Sequence, residues 1–130
     1  MSLVRHVYQI KLVKGDALEL NLLNYRADLV LMSWGFCLEF SMTELEKLLL
    51  STKHIIGNTG SIVIDLGKLN EEKDDYIEFS EEGFKYSGHF YFPSIKSLSQ
   101  LFSKLNYNCN RVNYLTDTKM DRHLFFLKNK

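Results

Sequence analysis

A chain of 130 residues that is 45% hydrophobic is long enough to bury one core and too short for two ordinary domains, so one domain over residues 1–130 is expected. Its 16 basic and 16 acidic residues cancel, which removes any general attraction to nucleic acid or an anionic membrane. No run approaches the roughly 18 to 20 apolar residues of a membrane span, and the N-terminus lacks the charged and apolar regions of a signal peptide, so the expected location is the cytoplasm.

The first expected element is a strand over "HVYQIKLV", where Val7, Tyr8, Ile10, Leu12 and Val13 mark the apolar positions and Lys14 the end. Ala17 to Arg26 must then lead to the next strand. About a dozen residues is the lower limit for a parallel crossover, so this stretch holds one helical turn or only a loop. "DLVLM", Asp28 to Met32, and "SIVIDL", Ser61 to Leu66, are short continuous apolar runs of the kind that forms parallel strands covered on both faces. Between them, Ser41 and Glu44 have capping-box spacing. Leu45, Leu48, Leu49, Thr52, Ile55 and Ile56 then recur at helical intervals until Gly57, and the three pieces make a βαβ unit.

After Asp65 the pattern changes. Residues 70–82 concentrate acids, with Lys73 the only base, as a solvated loop would. "YIEFSEEGFKYSGHFYF" alternates aromatic and polar residues around the turn dipeptides Glu82-Gly83 and Ser87-Gly88, which predicts a small β insert. Pro93 introduces a second helix with Ile95, Leu98, Phe102 and Leu105 on its apolar face and Asn106 as its stop. "CNRVNYL" and "RHLFFLKNK" complete the chain as an antiparallel strand pair joined through Thr116 to Asp121. Cys37 and Cys109 stand in no CxxC spacing and read as two buried, reduced thiols; His6, His54, His89 and His123 show no metal-ligand spacing.

If the strands are parallel, the chain leaves each at the same sheet edge, where open α/β folds bind ligands. The residues that fall there are Gly15, Asp16 and Ala17, then Ser33, Trp34, Gly35 and Phe36, then Asp65, Leu66 and Gly67. An acid, small residues and aromatic rings suit a cleft for a flat heterocycle. Taken singly, Asp16 reads first as a cap on the following turn, Trp34 equally as a core residue or a pocket wall, and Asp65 as a loop acid.

The order of elements and these residues together resemble the second part of the Rossmann-like S-adenosylmethionine-dependent methyltransferases. "VKGDALEL" looks like the turn after the family's third strand, "YRADLVLMSWGF" like the fourth strand and its loop, "MTELEKLLLSTKHIIGNTGSIVIDLG" like the next helix and fifth strand, and "GHFYFPSIKSLSQLFSKLNYNCNRVNYL" like the last helix and sixth strand. The resemblance implies an α/β fold: a partial doubly wound sheet, mostly parallel, with an antiparallel C-terminal strand pair and a small β insert. It implies S-adenosylmethionine as cofactor, with Asp16 accepting from the adenine amino group and Ala17 beside the ring. Ser33 and Trp34 would lie beside the sulfonium, and Trp34, Phe36 and His89 would meet the acceptor, His89 with a possible role as general base. The glycine-rich cofactor loop expected in the family has no counterpart before Asp16. The expected function is therefore the C-terminal half of a methyltransferase with an incomplete cofactor site and an unknown methyl acceptor, completed by a second copy or a complementing subunit. The alternative is a non-catalytic methyltransferase-like subunit that binds a partner, and a third reading is a generic α/β protein.

Overall fold

Ser41 and Glu44 start the longest helix of the molecule. In the computed structural model, which describes residues 9–33, 35–81 and 86–130, the Ser41 hydroxyl accepts the Glu44 amide at 3.2 Å and the Glu44 carboxylate accepts the Ser41 amide at 3.1 Å. Two amides that a first turn leaves unpaired are thereby satisfied. Helix α1 runs Met42–Ile56 and buries Leu45, Leu48, Leu49, Thr52, Ile55 and Ile56. It closes at Gly57 with φ 57°, a conformation that glycine reaches without strain. Gly60 serves a different need: a Cβ there would lie 2.6 Å from the backbone oxygens of both Ala27 and Ile56. Only a residue without a side chain lets the chain pass so closely from the helix into the sheet.

Strands β1 (Leu29–Met32) and β2 (Ser61–Leu66) flank α1 and pair in parallel, with Leu29 opposite Ser61 and Met32 opposite Ile64. Strands β3 (Asp75–Glu81) and β4 (Tyr86–Phe92) form a separate antiparallel ribbon. Helix α2 follows at Ile95–Lys104, then β5 (Tyr107–Leu115) and β6 (Asp121–Asn129). Strand β6 inserts beside β2, giving the sheet order β1-β2-β6-β5. The C-terminal antiparallel pair and its connecting turn fall where the sequence places them, with the Thr116 amide bonded to the Met120 carbonyl at 3.1 Å.

Five expectations are corrected. The sheet is mostly antiparallel, because β6 runs against both of its neighbours and only β1 and β2 are parallel. Residues 9–13 form no strand: alternation yields a strand only where a neighbour supplies the ladder, and Ile10 and Leu12 are instead 88% and 93% exposed. His6, Val7 and Tyr8 of that expected strand lie outside the described residues. The second helix begins after Pro93, since Ser94 is its N-cap and accepts the Ser97 amide at 3.0 Å. Cys109 is exposed, because its strand lies at the sheet edge; Cys37 is buried. Of the two turn dipeptides, Ser87-Gly88 lies inside β4 and Glu82-Gly83 outside the described residues.

Both helices pack on one face of the sheet. The Tyr107 hydroxyl bonds to the Leu49 carbonyl of α1, and the Phe102 ring of α2 meets Phe125 edge-on at 5.6 Å. Ile62, Ile64, Leu66, Phe125 and Leu127 on that face are at most 1% exposed. On the opposite face, no helix covers the strands among the described residues.

Candidate functional site

The carboxyl ends of β1 and β2 define the edge at which the sequence gathers its candidate residues. Asp16 sits at the start of a 3-10 helix over Ala17–Leu22, the one short helical piece between the front segment and β1. One carboxylate oxygen accepts the Leu18 amide at 2.9 Å, and the Asp16 carbonyl accepts the Glu19 amide at 3.0 Å. The cap is therefore real, but it occupies only one oxygen; the second has no hydrogen bond among the described residues. Ala17 and Leu18 pack against the core, and the Ser51 hydroxyl of α1 donates to the Leu18 carbonyl at 3.1 Å, fixing the turn on the helix layer.

The loop after β1 is tied to β2 by the Gly35 amide, which bonds to the Asp65 carbonyl at 3.4 Å. Gly35 has φ 74° and opens a second 3-10 helix, Phe36–Glu39. Phe36 is half-buried with its ring 5.1 Å from Phe40 in an edge contact, and Ser33 is half-buried at the strand end. Trp34 lies outside the described residues. Cys37, just beyond, is buried 3.7 Å from the Met32 sulfur, and burial pushes its thiol up to about 12, which removes it as a nucleophile. Asp65 is no cleft acid: its carboxylate accepts from Arg122 Nε at 2.8 Å on the sheet face away from the helices.

His89 approaches this edge from the β3–β4 ribbon. Glu44, which the sequence marks only as a cap, feels the charge of both His89 and Asp16. The Ser41 amide is the main influence holding the Glu44 carboxyl below its usual range; the Ser41 hydroxyl and the charge of His89 add to this, while Asp16 pushes the other way. The charges of Asp16 and His89 thus both bear on the Glu44 carboxyl, in opposite senses. His89 is exposed and stands against Tyr91 at 5.0 Å and Tyr76 at 6.2 Å. Among the described residues no group of three or more His, Cys, Asp or Glu side chains could hold a metal ion, and no helix is long and apolar enough to cross a membrane.

Neither a protein-family model nor a curated protein matches the sequence. Solved structures do match. An S-adenosylmethionine-dependent methyltransferase from Clostridium acetobutylicum aligns over 93% of this chain and 65% of its own, with a TM-score of 0.70 at 12% identity. The fold is methyltransferase-like. The glycopeptide N-methyltransferase MtfA, solved with S-adenosylmethionine, aligns over 89% of this chain and 59% of its own (TM-score 0.65, 12% identity). CalS10, an amino pentose methyltransferase from Micromonospora echinaspora, aligns over 89% and 63% (TM-score 0.64, 11% identity). The chain thus spans about three-fifths of the length of these methyltransferase-like structures.

Proposed function

We propose that this chain supplies part of the cofactor site of an S-adenosylmethionine-dependent methyltransferase, acting on an unknown acceptor, with the rest of the site contributed by another segment or chain. The observation that carries the reading is Asp16: within a methyltransferase-like fold it sits at the rim with one carboxylate oxygen engaged as a cap and the other open. The open oxygen fits the amino group of an adenine, and the Ala17 amide, first in its helix, has no intrahelical acceptor to compete with the ring. Ser33 and Trp34 are assigned to the methyl-donor end, and Phe36 and His89 to the acceptor side.

The bound cofactor supplies an electrophilic methyl group, and transfer is an in-line displacement in which the acceptor's lone pair forms the new bond as the carbon–sulfur bond breaks. The protein's contribution is to align the two partners and exclude water. Asp16 holds the adenine, the Gly35–Asp65 backbone bond fixes the loop carrying Ser33 and Phe36, and His89 takes a proton where the acceptor must lose one. The same reading assigns the uncovered apolar sheet face to the completing segment or second copy, since such a face is an association surface.

Thermal unfolding with S-adenosylmethionine and S-adenosylhomocysteine, on wild type and Asp16→Ala, tests this. At tenfold over Kd the expected stabilisation is about 1.4 kcal/mol, roughly 4 to 8 °C in Tm, and the mutation should lower affinity roughly 10- to 100-fold. If neither ligand raises the Tm of wild type, the reading falls for this chain.

A further inference from the structure

The β3–β4 ribbon has two unlike faces. Phe90 and Phe92 pack toward the core, whereas Tyr76, Glu78, His89 and Tyr91, on the alternate positions, share the outward face. Register explains the grouping, because Tyr76 is opposite Tyr91 and Glu78 opposite His89. The Tyr76 and Tyr91 rings lie 4.9 Å apart and tilted by 43°, with the Tyr76 hydroxyl donating to Glu78 at 2.7 Å. At the base of this face is a cavity of about 370 Å³ between Tyr76, Tyr91 and Phe92 of the ribbon and Met42 and Pro93 at the starts of the two helices.

The charged side chains lining this cavity are Asp74 and Asp75. Lys68 and Lys73 line an adjoining cavity with Ile77, which shares Asp75 and Phe92 with this one. The starts of α1 and α2 would ordinarily attract an anion, but at each the amide of the cap residue and the amide three residues on already have partners. Ser41 and Glu44 close the first, while Ser94 and the Asp74 carboxylate close the second at 3.0 and 2.6 Å. The bond from the Ser94 amide is the chief reason the Asp74 carboxyl lies below its usual range, so it is ionised at neutral pH. Among the described residues that line the cavity, an anion therefore meets two carboxylates, whereas a cation meets the same carboxylates and the electron-rich faces of two tyrosines.

We propose that this cavity binds the ammonium group of a small organic amine, protonated or quaternary, with Tyr76 and Tyr91 supplying cation–π contacts and the Asp74 and Asp75 carboxylates that line it the opposite charge. A tyrosine face within about 6 Å attracts a cation that it would not attract as a neutral isostere, and this difference separates the proposal from plain hydrophobic binding. The proposal deepens the methyl-transfer reading by giving the class of the acceptor, an amine that binds protonated and accepts the methyl group only after its nitrogen has given that proton to His89, a quaternary ammonium having no lone pair and standing for the product. It rests on that reading only for the acceptor role; the binding of the ammonium group stands independently.

The test is a titration of the whole chain, without any methyl donor, by choline and by the neutral alcohol in which carbon replaces its nitrogen, followed by two-dimensional NMR. Choline should shift the resonances of Tyr76, His89 and Tyr91 and bind about tenfold or more tighter than the isostere. Tyr91→Leu, which keeps apolar bulk and removes the ring, should weaken choline about fivefold or more and leave the isostere within about twofold. Asp75→Asn should act in the same sense without disturbing either ring. Equal affinities for the two ligands, or no shift at this face up to about 10 mM choline, would overturn the proposal. Because no arm contains S-adenosylmethionine, failure here leaves the cofactor reading standing, and failure of cofactor binding leaves this result standing.

Discussion

On one face of the sheet Ile62, Ile64, Phe125 and Leu127 are at most 1% exposed beneath the two helices; on the other, Leu29, Leu31, Val112 and Phe126 are 38% to 62% exposed. The strands do not distinguish the faces by composition. "LVLM", "IVI" and "LFFL" are apolar at consecutive positions, which is how a strand covered on both sides is composed. The helices on the covered face come from the chain's own connections, α1 between β1 and β2 and α2 between the ribbon and β5. The difference teaches that these strands carry side chains for a layer that the described residues do not supply, and that layer is where the proposed completing segment or second copy would bind.

The largest expected effect sets the two faces directly against each other. Phe125→Ala should destabilise the chain by about 3 to 5 kcal/mol in urea unfolding, since its ring is fully enclosed with Phe102, whereas Phe126→Ala should cost under about 1 kcal/mol. Equal losses would break the comparison by showing that the outer face is covered in solution, and a concentration-dependent midpoint would then identify self-association. A smaller effect is expected from the polar interaction of the outer face. The Arg122 and Asp65 side chains are only 12% and 17% exposed, and the bond to Asp65 is the first cause that raises the Arg122 guanidinium; Tyr114 contributes too. Arg122→Met should cost about 1 to 2 kcal/mol, above an exposed pair and below a sealed one. A loss near 4 kcal/mol would mean that something seals this face.

Most of the architecture is legible in the sequence where a local signal and a packing need coincide. Ser41, Glu44 and Gly57 bound α1, the apolar runs mark β1 and β2, and Asn106, with φ 59°, stops α2 as its residue type allows. That residues 9–13 form no strand was not legible in this way, because alternation states what a segment could bury and says nothing of whether a neighbour exists to pair with it. The parallel sheet failed for a related reason: the place β6 takes beside β2 depends on long-range pairing, and its own residues suit either direction. At the site, the cap made by Asp16 was readable from its position before the turn. That Glu44 feels the charge of both Asp16 and His89 was not, since its capping role fully accounts for its spacing. The pairing of Tyr76 with Tyr91 could have been found from the alternation of the insert, given the ribbon's register. The ion pair of Asp65 joins residues far apart in sequence and left no local trace.

The covered face can be tested at its own end through His123. Its Nδ1 is buried without a hydrogen-bond partner among the described residues, and the ring stacks on Phe125 at 6.4 Å. Burial is the main cause that lowers the imidazole below its ordinary value of 6.5, and the charge of Arg111 adds to it, while Asp121 and Glu71 act in the opposite sense. A folded value below the unfolded one means that the unfolded chain takes up the proton first. Stability is then fully present above pH 6.5, falls as the pH drops from 6.5 through the folded value, and stops changing on this account below it. The slope can reach at most about 1.4 kcal/mol per pH unit for a single proton. His123→Phe should remove this slope while retaining the stack on Phe125. NMR titration of the His123 ring gives the direct measure. A midpoint at or above 6.5 would show that water or a counter-charge reaches Nδ1, and that the helix-covered face is open where β6 begins.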